Sequence, residues 1–145
     1  MVAEFLDTKK ILIDLEESTY RAVLHKMVGL SAEKNVEQVL ERILSRENVM
    51  PTAVGKGIFL PRAIIAEKSR SEIILAFSRA GLVFEDYGTS VANIIMLFVF
   101  SRNDDYVAIL AQSIRLLNDD SLRTALYDCK KPEDVITAIA DWEKQ

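Results

Sequence analysis

The stretch "VANIIMLFVF" (91–100) constrains this chain more than any other. Ten residues without a charge, rich in β-branched and aromatic side chains, suit a pleated strand. A strand that is apolar at every position has both faces covered, so it reads as a central strand between packed layers. Ten residues, interrupted by Asn93, fall far short of the ~20 that span a bilayer. No direct membrane insertion is expected. A chain of 145 residues can bury a sizeable core, and 1–145 reads as a single domain.

The flanking segments set an order of elements. "KKILIDLE" (9–16) suits a short strand or extended entry. "ESTYRAVLHKMVGL" reads as a helix with Ser18 as N-cap, a stripe of Tyr20, Val23, Leu24, Met27 and Val28, and Gly29 at or near its end. "SAEKNVEQVLERILSREN" gives a second helix with Val36, Val39, Leu40, Ile43 and Leu44 buried, and Pro51 ends the helical region. "AVGKGIFL" (53–60) reads as a turn and then a strand closed by Pro61. "SEIILAFSRAGL" (71–82) suits a buried strand, and "EDYGTS" (85–90) is a turn cluster. Three helices follow. Residues 103–119 take Asn103 or Asp104 as N-cap and bury Val107, Leu110, Ile114 and Leu117. Residues 119–130 form a shorter helix; residues 131–145 begin with Pro132 in the first turn and carry Val135, Ile136, Ile139 and Trp142. The order β-αα-βββ-ααα predicts an α/β fold, a central mixed β-sheet flanked by helices on both faces.

Several functional classes recede at this level. The net charge of −4 gives no general attraction to nucleic acid or an anionic membrane, so no nucleic-acid partner is expected. Cys129 is the single cysteine and His25 the single histidine. One chain can therefore form neither an internal disulfide nor a structural zinc site, and the expected compartment is the cytoplasm. No metal or cofactor is expected. No P-loop, nucleophile elbow or HExxH pattern occurs, and "VGKG" reads as a glycine turn. His25 has no partner in sequence and reads as a surface or half-buried helix residue. Cys129 stands beside Lys130 and Lys131, where cations could tune its thiol, although an incidental role is the simpler reading. The acidic pairs Asp104/Asp105 and Asp119/Asp120 suit helix starts, where the macrodipole favours negative charge.

"SRENVMPTAVGKGIFLPRA" resembles the active-site stretch of enzyme IIA domains of the mannitol/fructose/nitrogen-regulatory class of the bacterial sugar phosphotransferase system. Arg46, Glu47, Thr52, Gly55, Gly57, Ile58 and Pro61 fit that pattern. "VFEDYGTSVANIIMLFVFS", "DDYVAILAQSIRLLND", "KKPEDVITAI" and "LIDLEESTYRAVLHKMV" are similar to further family segments, so the resemblance covers nearly the whole chain. It implies the enzyme IIA fold and a phosphoryl acceptor histidine at position 62, sixteen residues after Arg46, with a supporting histidine at position 106. Here those positions hold Arg62 and Tyr106. A guanidinium has no usable lone pair, so the acceptor position is degenerate and no phosphoryl relay through it is expected.

The leading expectation is a catalytically inactive regulatory or protein-binding domain. Its partner would be a phosphotransferase-system component, a transporter or a kinase. Ile58, Phe59 and Ile64 flank position 62 and are candidates for partner docking. A second reading is a sensor of a small anion or nucleotide, with Arg46, Arg62, Thr52, Gly55 and Gly57 as the anion-binding set. In a third, the chain is a working phosphocarrier with a non-standard acceptor. Against the anion site stands the simpler possibility that Arg62 faces solvent or pairs with Asp104 or Asp105.

Overall fold

The computed structural model describes residues 1–49 and 55–145. Its elements run β1 (Ile11–Leu12), α1 (Tyr20–Gly29), α2 (Val36–Val49), β2 (Ile58–Phe59), β3 (Arg62–Ile65), β4 (Glu72–Leu82), β5 (Ala92–Ser101), α3 (Tyr106–Leu117), α4 (Asp120–Asp128) and α5 (Pro132–Glu143). The expected end of the second helix at Pro51 lies outside the described residues.

The apolar run at 92–101 is the axis of the sheet. β5 pairs antiparallel with β4 on one side and parallel with both β2 and β3 on the other. β1 extends the sheet beyond β4 as a parallel neighbour. The sheet is therefore mixed, as expected. Alternation along β5 explains why both faces had to be apolar. Ile94, Met96, Phe98 and Phe100 enter the core that also contains Ile109, Leu116, Leu122, Leu126, Val135 and Ile139 from α3, α4 and α5. Ile95, Leu97 and Val99 enter the opposite core with Val23, Leu24, Met27, Val39, Leu40 and Ile43 from α1 and α2. Each such side chain contributes about 1.5–3 kcal/mol on burial.

Asn93, the polar residue in the run, has a specific task. Between Phe77 and Leu82 the β4–β5 pairing shifts register. The Asn93 side-chain amide donates to the Ser78 and Arg79 carbonyls at 3.0 and 3.3 Å. It thus occupies acceptors that the irregular ladder leaves over.

Three sequence expectations need correction. The N-cap of α1 is Thr19, not Ser18; its hydroxyl accepts from the Ala22 N–H at 3.1 Å. The N-cap of α3 is Asp105, whose carboxylate accepts from the Ala108 N–H, rather than Asn103 or Asp104. Asp104 is engaged elsewhere, accepting from the Ser71 N–H at 2.8 Å. The buried face of α3 also differs. Ile109, Ser113, Leu116 and Leu117 face inward, whereas Val107 is 67% exposed and Ile114 43% exposed. Two stripes of this helix are apolar enough to be buried. The one chosen includes Ser113, whose hydroxyl is satisfied by donating to the Ile109 carbonyl one turn back.

A loop between β4 and β5 locks α1 in place. Asp86 accepts from the Tyr20 and Arg21 N–H groups at 2.6 and 3.1 Å, capping the helix from across the fold. Tyr87 and Phe84 of the same loop pack their rings against Tyr20 and Phe59.

Candidate functional site

Arg62 does not lie in a loop. Pro61 interrupts β2 and the chain resumes at once as β3, with Arg62 level with Phe98 on β5. β3 is an edge strand, so its outward backbone groups need other partners. Two arginines supply partners here, one at the Leu60 carbonyl just before the strand and one within it. Arg62 Nη1 donates to the Leu60 carbonyl at 3.1 Å, and Arg42 Nη1, from α2, donates to the Ile64 carbonyl at 2.8 Å.

A cleft of about 500 Å³ opens over this edge, between α2 and the first turns of α3. Arg42 and Arg46 come from α2, Arg62, Ala63 and Ile64 from β3, Phe100 from β5, and Tyr106, Val107 and Leu110 from α3. Arg46 and Arg62 thus line one site, and Tyr106 stands on its opposite wall. The Tyr106 ring is half-buried and lies 5.5 Å from the Phe100 ring, centroid to centroid. The described lining holds three arginines and no carboxylate.

The glycine turn is elsewhere. Gly55 and Gly57 line a separate small cleft with Lys56, Ser90 and Val91. The register shows why: Ile58 is level with Ile94 on β5, and Arg62 with Phe98. Four residues of strand separate the two levels, about 13 Å. The turn has positive φ at Gly55, Lys56 and Gly57. Its Gly57 carbonyl accepts from the Asn93 and Ile94 N–H groups, which starts the β2–β5 ladder. Thr52 lies outside the described residues.

Of the docking candidates, Ile58 and Phe59 are 4% and 1% exposed and belong to the two opposite cores. Alternation in a strand covered on both faces leaves neither of them a surface to offer. Ile64 alone reaches the cleft. The cleft residues that sequence reading missed are Arg42, Ala63, Phe100, Val107 and Leu110. Arg42 was detectable, since it stands four residues before Arg46 and so shares its helix face. Val107 was assigned to the core and instead lines the cleft.

The remaining titratable candidates lie away from this site. His25 is exposed on α1 with Nε2 3.1 Å from a Glu37 carboxylate oxygen. Burial pushes the Cys129 thiol up, and Asp134 and Asp128 push it further, so the neighbouring lysines do not make it a reactive thiolate. At the other end of β3, Lys68 reaches Glu33 at 2.7 Å and Glu72 at 2.5 Å, and Lys10 reaches Glu72 at 2.6 Å. Burial would raise the Glu72 carboxyl, but hydrogen bonds from Lys10, Lys68 and the Ala32 N–H outweigh it and hold it below its ordinary range.

Residues 4–142 match the family model "Phosphoenolpyruvate-dependent sugar phosphotransferase system, EIIA 2". The chain belongs to this family. It is similar to the 2-O-alpha-mannosyl-D-glycerate-specific EIIABC component of Escherichia coli, 23% identical over 86% of this chain and 20% of the relative. It is also similar to the fructose-specific EIIA component of Haloferax volcanii, 24% identical over 90% of each. The chain spans only about a fifth to a quarter of the multidomain relatives it matches. Among solved structures, the nitrogen regulatory protein IIA-Ntr of Neisseria meningitidis superposes with a TM-score of 0.79 at 18% identity, covering 95% of this chain and 98% of that one. The complex of enzyme IIA mannitol with phosphorylated enzyme IIB mannitol of Escherichia coli gives 0.71 at 15% identity, covering 94% and 97%. These likenesses show that this EIIA 2 chain has the fold of the mannitol and nitrogen-regulatory IIA proteins. No helix among the described residues is long and apolar enough to cross a membrane.

Proposed function

We propose that this EIIA 2 chain is a non-relaying module. It keeps the family scaffold and a protein-docking face as one domain over 1–145, but it accepts no phosphoryl group at the family's site. The observation that carries this reading is Arg62 in the α2–β3–α3 cleft. The family resemblance sets position 62 as acceptor and position 106 as its support. Relay requires a nitrogen lone pair that attacks phosphorus and later leaves it. Arg62 stays protonated and has none to offer, and the Tyr106 phenol is a poor nucleophile near neutral pH. His25 is no substitute, because it sits on α1 beside Glu37 and does not line the cleft.

The partner class that fits is another phosphotransferase component. One protein of the same fold is known in complex with a phosphorylated enzyme IIB. Here the exposed Val107 of α3 gives the cleft an apolar rim suited to such a partner, and Ile114 is a second exposed apolar residue on the same helix. The role would be regulatory, in sugar transport. The test is incubation with phosphoenolpyruvate, enzyme I and the histidine phosphocarrier protein, read by intact mass beside an active enzyme IIA. No mass gain is expected; a stable gain of one phosphoryl group would overturn the reading.

A further inference from the structure

We infer that the α2–β3–α3 cleft is a binding site for a small organic anion: an oxyanion head held by arginines, with an apolar body against α3. The inference rests on the reading that this cleft has ceased to be a phosphoryl acceptor site. Three observations carry it. First, Arg42, Arg46 and Arg62 converge from two elements on one cleft whose described lining has no acid. The chain as a whole is acidic, at −4, so this cationic concentration is local. Among the described residues neither Arg42 nor Arg46 has a carboxylate partner. The acids closest in sequence to α3 serve the backbone instead, Asp104 at Ser71 and Asp105 at Ala108.

Second, Arg42 is anchored. Its bond to the Ile64 carbonyl fixes the head group and leaves the guanidinium further N–H donors for a planar oxyanion. Third, the wall that α3 supplies is apolar, with Val107 and Leu110 beside the Tyr106 ring, and Ile64 and Phe100 of the sheet continue it. A bare inorganic anion would not use that wall. A cavity of about 500 Å³ is in the range that encloses a small molecule with both parts.

The probes are inorganic phosphate, phenol and phenyl phosphate, titrated by calorimetry and by amide chemical shifts. Phenyl phosphate should bind about tenfold or more tightly than either fragment, since the ring adds apolar burial to the ionic contact. The shifts should centre on Ile64, Val107 and Leu110. Arg46→Gln should weaken phenyl phosphate and phosphate alike, by about tenfold. Val107→Ser should weaken phenyl phosphate severalfold and leave phosphate within twofold. Both positions are exposed, so the folded state should survive, as an unchanged Tm without ligand would confirm. Phenyl phosphate binding no tighter than phosphate, or undiminished in Arg46→Gln, would overturn the inference, as would no binding. That result leaves the non-relaying reading standing. Phosphoryl uptake in the mass experiment sinks that reading whatever the probes do.

Discussion

Gly57 is the most sharply defined point at which this fold can be perturbed. It sits at φ +74, a conformation side chains disfavour. A Cβ there would lie 2.9 Å from Asn93 Cγ and 3.0 Å from its Cβ, and closer still to Oδ1. Asn93 cannot yield freely, because its amide holds the Ser78 and Arg79 carbonyls. Gly57→Ala therefore carries two terms. The left-handed backbone costs about 1–2 kcal/mol, and displacing Asn93 from its two hydrogen bonds costs about 1–3 kcal/mol. Gly55 supplies the control. It has φ +86 but nothing within 4 Å of a built Cβ, so Gly55→Ala carries only the first term. Urea unfolding should show Gly57→Ala less stable than Gly55→Ala by about 1–3 kcal/mol, with unchanged slope. The steric part should shrink in an Asn93→Ala background, as a double-mutant cycle would measure. Equal losses for the two alanine variants would refute the argument that Asn93 is a fixed wall.

Other predictions concern the helices and the charged network. Val107→Ser and Ile114→Ser should each change stability by less than about 0.5 kcal/mol, whereas Ile109→Ala should cost about 2–5 kcal/mol, since only Ile109 is buried. Asp86→Ala should cost about 0.5–2 kcal/mol and weaken hydrogen-exchange protection in the first turn of α1, although Asp86 is remote in sequence. The Glu72 carboxyl is depressed in the folded state, so its stabilisation is complete above the ordinary carboxyl value of 4.5 and is lost as the pH falls through the lower folded value. Glu72→Gln should accordingly be less stable at neutral pH and flatten the acid limb of the stability curve; an unchanged acid limb would show that Lys10 and Lys68 are not what holds Glu72 ionised.

The sheet was legible in the sequence because its controlling signals are local. An uncharged β-branched run has only one comfortable place in a mixed sheet, and the stripes of α1, α2 and α5 each had one apolar side. α3 was ambiguous because apolar residues cover more than one side of it. Packing decided between them, and the back-bonded hydroxyl of Ser113 hid that choice. β3 was missed because Pro61 reads as a stop, yet a proline at a break in an edge strand leaves the next residue free to pair. Of the anion-binding candidates, Arg46 and Arg62 line one cleft, and Gly55 and Gly57 line another. Proximity in sequence suggested a shared cradle, and strand length along β5 separated it.

The sequence by itself determined the layer order and the central strand, because these depend on side-chain type and local periodicity. Only the tertiary structure decided that Arg42 joins Arg46 and Arg62, that Val107 faces the cleft, and that Ile58 and Phe59 are sealed in opposite cores. Those outcomes depend on which edge of the sheet α2 and α3 flank, a long-range packing choice that no single segment encodes.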